Sequence, residues 1–310
     1  MSQWMGVDVG GQSLKAVIVE ESGAVTRHAT LPTGREATLR NLATAIGEVA
    51  GELGHARGRP IGVGVAGCVT LAGVVRGSPN LPGLAGSAIE RDLGEALGVR
   101  VVVDNDAHCH ALAEAWIGAA MRTPTFLLVT LGSGIGSGVV VGGKVYRGAT
   151  GYGCELGHMI FRPDGRLCGC GNRGCLEAYV SEVALASRVP DERPELARRM
   201  DARVRERGIG HAHALFELAD AGDAEASGLA EVLAEELGVA LGSAVNVFDV
   251  ELIVIGGGIA PGILARIARL RRAMAGALFA RDEAAVRIEP ASAGALAGAV
   301  GAARLAMIAV

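Results

Sequence analysis

Aromatic side chains are scarce in this 310-residue chain: Phe, Tyr and Trp together make up 3% of it. A base-stacking platform for single-stranded nucleic acid, or an aromatic cage for a cationic ligand, has little to be built from. Basic blocks are missing too. With a formal net charge of −4, the chain lacks the electrostatic footprint of a nucleic-acid or anionic-membrane binder, and no such partner is expected. No apolar run reads as a membrane span, because 125–143 is broken by glycines and serines and the C-terminal run carries Arg304. Residues 1–4 lead straight into a strand-like segment, so no signal peptide is expected. A disulfide framework is not indicated either. Of six cysteines, three lie between Cys168 and Cys175, and Cys68, Cys109 and Cys154 are scattered. In a chain of cytoplasmic character, such clustering points to a metal.

Glycine, by contrast, is plentiful at 47 residues, and half of the chain is apolar. That favours tight turns and helices lying close on sheets. A chain of 310 residues exceeds one ordinary domain, so two lobes are expected. Residues 6–19 (GVDVGGQSLKAVIV) read as strand, glycine turn and strand, and 126–141 (FLLVTLGSGIGSGVVV) repeat that design. A third segment, 252–260 (LIVIGGGIA), is a buried strand ending in three glycines. Runs at 61–65 and 99–103 read as buried parallel strands, and helices are expected at 38–53, 89–97, 107–119, 195–207 and 225–247. The class is α/β with two related lobes. The first is expected to span 1–117, joined by a last Ala/Gly-rich helix at about 295–310, and the second 118–294.

The glycine turns carry the first chemical signal. A turn with Asp8, Gly10 and Gly11 lets backbone N–H groups approach a phosphate, because glycine has no Cβ in the way. Asp8 suits Mg²⁺ held through water. The second turn, 132–138, offers the same facility with hydroxyls at Ser133 and Ser137. Each turn alone is equally well read as a tight hairpin. A dinucleotide fingerprint fits worse, since another strand follows the second turn, and no Walker-A motif is present.

The second signal is Cys168-Gly-Cys170-Gly-Asn-Arg-Gly-Cys175, three thiols on a Gly-rich loop, with His158 ten residues upstream as the fourth ligand of a structural Zn²⁺. Cys68, Cys109 and Cys154 are read as small buried hydrophobes. The third signal is Asp104-Asn105-Asp106 at the head of a helix, after the strand 101–103, where ligands approach open α/β sheets. A single Asp there is more often an N-cap, and Asp104 is read as part of the turn. Glu155 and Glu177 flank the metal loop and, paired, suit vicinal hydroxyls; Asn80 lies on a turn-rich segment and both donates and accepts. His211 and His213, at a helix start, are read as surface residues.

Together these segments resemble the ROK family (repressors, open reading frames and kinases) over nearly the whole chain. The motifs are VDVGG at 7–11, NLPG at 80–83, NDA at 105–107, LGSGIGSG at 131–138, YRGATGYGCELGH at 146–158, CGCGNRGCLE at 168–177 and VIGGG at 254–258. The resemblance implies a two-lobed actin-like ATPase (ribonuclease H-like) fold with an interlobe active site. It implies ATP-dependent phosphorylation of a hexose, glucose first, at the 6-hydroxyl, with Asp106 as general base. Asn105, Glu155, His158 and Glu177 match sugar-binding positions, with Asn80 and Gly67 as further contacts. His158, Cys168, Cys170 and Cys175 match zinc ligands. Asp8, Gly10, Gly11, Lys15, Gly132, Ser133, Gly134 and Gly256, Gly257 and Gly258 fall to ATP and Mg²⁺, and a homodimer follows by analogy.

The chain departs from the family pattern at Gln12 and Ser13, which stand in place of the usual Thr-Lys, at Leu84 after NLPG, and at Tyr152 and Cys154 before Glu155. An N-acetylhexosamine kinase (GlcNAc or ManNAc) is the alternative enzyme. A sugar-responsive transcription factor is the alternative from another class, disfavoured because the first glycine hairpin begins at Gly6. A non-catalytic sugar sensor is disfavoured by Asp8 and Asp106.

Overall fold

A computed structural model describes residues 2–34 and 36–309. In chain order the elements are β1 (Gln3–Val9), β2 (Ser13–Glu20), β3 (Val25–Pro32), α1 (Leu39–Glu52), β4 (Ile61–Val65), β5 (Cys68–Val69), β6 (Val75–Gly77), α2 (Ile89–Leu97), β7 (Val101–Asn105) and α3 (Asp106–Ile117). They continue with β8 (Phe126–Leu131), β9 (Ile135–Val141), β10 (Lys144–Val145), α4 (Glu177–Val180), α5 (Glu182–Glu192), α6 (Pro194–Arg207), α7 (His211–Asp220) and α8 (Ala224–Phe248). The last are β11 (Leu252–Gly256), α9 (Ala260–Leu264), α10 (Ile267–Ala277), β12 (Arg287–Pro290) and α11 (Ala297–Ile308).

Two five-stranded sheets share one plan: β3-β2-β1-β4-β7 and β10-β9-β8-β11-β12. In the first, β1–β2 and β2–β3 are antiparallel, while β1–β4 and β4–β7 are parallel. The described residues group into two compact units. One takes the chain up to Leu128, Gly138–Cys154 and the chain from Ala291 onward; the other takes Val129–Ser137 and Glu155–Pro290. The division therefore runs through β8 and β9, whereas the sequence reading set it near residue 117.

Period-2 patterning sorts the first sheet between two cores. Leu14, Ala16 and Ile18 of β2 join Met5, Val7 and Val9 in the core formed with Leu42, Ile46 and Val49 of α1. Val17 and Val19 face the other way, with Ala299, Val300 and Ala303 of α11. On that face Gly6 and Gly62 meet the α11 backbone at Ala299, Ala303 and Ala302, and Gly301 meets the carbonyl of Cys109. A Cβ at any of these would overlap backbone, which explains why glycine and alanine take the place of aromatic bulk. In the second unit Gly238 and Gly242 of α8 do the same against α10.

Short polar side chains cap the starts of α1, α3, α5 and α8. Thr38 accepts from Asn41 N at α1, and Asp223 accepts from Glu225 N and Ala226 N at the 25-residue α8. Among the described residues no helix is long and apolar enough to cross a membrane.

Candidate active site and metal centre

In the first unit, the β1–β2 turn is shaped by its own backbone. Gly10 N donates to Ser13 O at 3.0 Å, and the Thr33 hydroxyl donates to Gly10 O at 2.6 Å. Gly11 sits against Asn80, whose Cβ would lie 2.9 Å from a Cβ at Gly11; this brings the NLPG segment to the first glycine turn. Asp8 and Lys15 are direct partners across β1 and β2. Lys15 Nζ donates to Ala295 O at 3.2 Å. Burial pushes the Asp8 carboxyl up, against the lowering influence of His110 and Lys15. Sequence reasoning missed His110, although it lies one helical turn beyond Asp106 on the same face of α3.

At the carboxyl end of β7 the three polar residues divide their work. Asn105 is the N-cap of α3: its Oδ1 accepts from His108 N at 3.1 Å, and its Nδ2 donates to Gly67 O at 3.0 Å. Gly67 (φ +156°) has no room for a side chain, since a Cβ would come within 2.6 Å of Gly77 O. Asp106 opens the helix half-buried, its Oδ1 accepting from Ala107 N at 2.9 Å. The capping role that an Asp commonly fills here therefore belongs to Asn105. Asp104 lies in strand β7, not in a turn as expected. It is buried and bonded to both His108 and Arg147.

In the second unit the other two glycine segments come together. Gly257 (φ +89°) packs on the backbone of Leu131, Ile259 N donates to Leu131 O at 3.1 Å, and Gly132 follows directly. The carbonyl oxygens of Gly132 and Ser133 accept from Glu182 N (2.9 Å) and Val183 N (3.4 Å) at the start of α5. Glu182 also caps α7 by accepting from His211 N and Ala212 N. His211 is thus tied to Glu182 and to Asp201, and His213 lies against Gly258, 3.3 Å from where its Cβ would be. Of these two histidines, expected at the surface, His213 is exposed and His211 half-buried. Ser137, expected to offer a hydroxyl to phosphate, is buried and accepts from Leu156 N at 3.0 Å. It pins the residue after Glu155 instead.

The four expected metal ligands converge. The donor atoms of His158, Cys168, Cys170 and Cys175 all lie within 4.8 Å of one another. His158 Nδ1 is 3.8 Å from Cys168 Sγ, and Cys170 and Cys175 Sγ are 3.7 Å apart. A tetrahedral ion with zinc–sulfur bonds of about 2.3 Å sets its ligand atoms about 3.8 Å apart, so the cage has the size zinc requires. Burial pushes the Cys168 thiol up to about 12, and a bound cation would displace that proton. Glu177 joins this loop to the second glycine turn. Its Oε2 accepts from Ile135 N at 2.8 Å, its Oε1 lies 3.6 Å from Cys168 Sγ, and its carboxylate fills the space beside Gly134. Glu155 is exposed and His158 half-buried. Of the other cysteines, Cys109 is buried as expected, whereas Cys68 and Cys154 are half-buried, and Cys154 adopts φ +65°.

The family described as ROK matches residues 4–308. The glucokinase of Thermotoga maritima is 33% identical over 265 residues, 82% of this chain and 81% of that protein. An N-acetyl-D-glucosamine kinase of Escherichia coli O9:H4 is 30% identical, over 86% of this chain and 88% of its own. Among solved structures, a ROK family glucokinase from Streptomyces griseus in complex with glucose and AMPPNP superimposes with a TM-score of 0.81. It is 31% identical over 99% of this chain and 100% of that one.

Proposed function

The chain belongs to the ROK family, and from that premise we propose that it is an ATP-dependent hexose kinase with glucose as acceptor and Asp106 as general base. The observation that carries the reading is the division of labour at the head of α3. Asn105 caps the helix, which leaves the carboxylate of Asp106, in the first helical turn, to a role other than N-cap.

The chemistry needs alignment and charge neutralisation. Asp106 takes the proton of the 6-hydroxyl as that oxygen attacks the γ-phosphorus; the bond from the γ-phosphorus to the bridging oxygen breaks, and ADP leaves. Asn80, Gly67, Asn105, Glu155, His158 and Glu177 hold the sugar. Gly10, Gly11 and Lys15, with Gly132, Ser133, Gly134 and Gly256–Gly258, hold the nucleotide. Asp8, a single carboxylate, suits a Mg²⁺ ion that keeps its waters. His158, Cys168, Cys170 and Cys175 would hold a zinc ion with protein ligands alone, which would fix the loop rather than activate water. His158, presenting Nδ1 to that cage, keeps Nε2 for a ligand oxygen. A homodimer in the cytoplasm fits by family analogy.

The similarity to an N-acetyl-D-glucosamine kinase favours one second reading, phosphorylation of an N-acetylhexosamine. A coupled ADP-release screen over glucose, fructose, GlcNAc and ManNAc separates the two, and glucose is expected to turn over fastest. Asp106→Asn is expected to lower kcat by about 10²- to 10⁴-fold, the usual contribution of general-base catalysis, with glucose binding retained in calorimetry. An active Asp106→Asn enzyme sinks the base assignment.

A further inference from the structure

A buried cluster of charged groups around Asp104 takes no part in the chemistry above. Asp104 is 4% exposed and His108 2%. Asp104 Oδ1 accepts from His108 Nδ1 at 2.8 Å and from Asn105 N at 2.9 Å. Asp104 Oδ2 accepts from Arg147 Nε at 2.7 Å and forms an ion pair with Nη2 at 2.6 Å. The second imidazole nitrogen, Nε2, lies 3.2 Å from Gly153 O.

A carbonyl oxygen has no proton to give, and a carboxylate gripped by a guanidinium is ionised and has none either. Each ring nitrogen of His108 faces a pure acceptor, so both must donate, which a neutral imidazole cannot do. The charged groups that face the ring are Asp104 from β7 and Arg147 from the segment after β10.

We infer that His108 is an imidazolium which, with Asp104 and Arg147, acts as a positioning cluster for phosphoryl transfer. It holds the strand-to-helix turn bearing Asn105 and Asp106 against the segment 147–153. What the cluster positions rests on the kinase reading; its charge state does not. Asp104 lies two residues before the proposed base, and Gly153 lies two residues before Glu155. One ionic cluster therefore sets the backbone on both approaches to proposed sugar ligands. Glu114, at the far end of α3, offers a control from the same helix. It also clamps distant backbone, accepting from Ala119 N, Ser292 N and Ala293 N, but with no cation among those donors.

Two measurements test the inference. The first is a long-range ¹H–¹⁵N spectrum of the histidine rings in the wild-type protein, with His108 assigned through its contact with Gly153. Both nitrogens are expected to carry protons at neutral pH; a bare nitrogen on His108 overturns the charge assignment, and no variant needs to fold for this result. The second compares wild type with His108→Gln in steady-state kinetics. The variant is expected to lose about 10- to 100-fold in kcat/KM for the sugar, the scale of a displaced reacting geometry. Its KM for ATP should stay near the wild-type value, and it should lack the alkaline fall in activity that the wild type shows. Equal loss for both substrates, or the same alkaline limb in both proteins, overturns the positioning role. Wild-type protein that phosphorylates no hexose removes the kinase reading and this role with it, while the spectrum still decides the charge state.

Discussion

Two segments of this molecule carry the proposed sugar ligands, and they are held in place by opposite chemistry. The turn at Asn105 and Asp106 is fixed by side chains that must be charged: Asp104, His108 and Arg147. The loop from Glu155 to Glu177 carries side chains that would lose protons to a metal: His158, Cys168, Cys170 and Cys175. The first is made of groups the fold itself supplies and is complete without a ligand. The second is a cage of mutually close donors that would gain its rigidity from an ion. Adjacent functional residues can thus be preorganised either by buried ion pairs or by coordination, and the two respond to solution conditions in opposite ways.

The largest effect that can break this comparison is removal of the ion. Cys170→Ser is expected to lose zinc and to raise KM for the sugar by about 10- to 100-fold, as disturbed metal shells commonly do, with KM for ATP much less affected. Metal content by emission spectroscopy and the two KM values check it together. A metal-free protein of full activity would falsify the cage as the organiser of the loop.

Next in size is the divergence with pH. Burial alone would push His108 down, but the hydrogen bond and charge of Asp104 outweigh it and hold the imidazole above its ordinary range. Its stabilising contribution is therefore complete below the unfolded value of about 6.5 and is lost as pH rises through the raised folded value. For Asp104, burial would push the carboxyl up, but His108 and Arg147 hold it below the ordinary carboxylate range. Its contribution is present above about 3.9 and is lost as pH falls through the depressed folded value. The cysteine cage works the other way from His108, because acid returns protons to the thiols and expels the metal. Thermal unfolding across pH with bound zinc measured in parallel should show zinc leaving on the acid side. On the alkaline side stability should fall with zinc retained; simultaneous loss of both at one pH would erase the distinction.

How much of this was legible in the sequence follows from how local each signal is. The two glycine hairpins, the cysteine cage and the head of α3 are contiguous motifs, and the structure forms each of them. Strand β3 was missed because its residues are mostly exposed and its apolar alternation is broken at Arg27. Helix α5 was missed because Pro190 sits inside it, and α10 because its arginines mask a narrow apolar stripe of Leu270 and Met274. Asp104 was misread for a different reason. The spacing Asp104–His108 is a visible i,i+4 pair, but Arg147, which makes the pair a cluster, lies 43 residues further on. Ser137 and His213 likewise depend on contacts that no local pattern encodes.

The smallest expected effect sharpens the comparison most, because it separates charge from geometry within the first clasp. Arg147 meets Asp104 through two nitrogens, Nε and Nη2, at 2.7 and 2.6 Å. Lysine keeps the charge but cannot form that fork. Arg147→Lys should therefore leave the carboxylate ionised and His108 protonated while loosening the segment 147–153. The expected cost is about 1 kcal/mol of stability, the scale of one lost hydrogen bond, and a several-fold rise in KM for the sugar without a shift in the alkaline limb of the pH profile. A shift of that limb would mean that Arg147 tunes the charge of His108 rather than the placement of the backbone. The clasp would then be electrostatic in origin, not geometric.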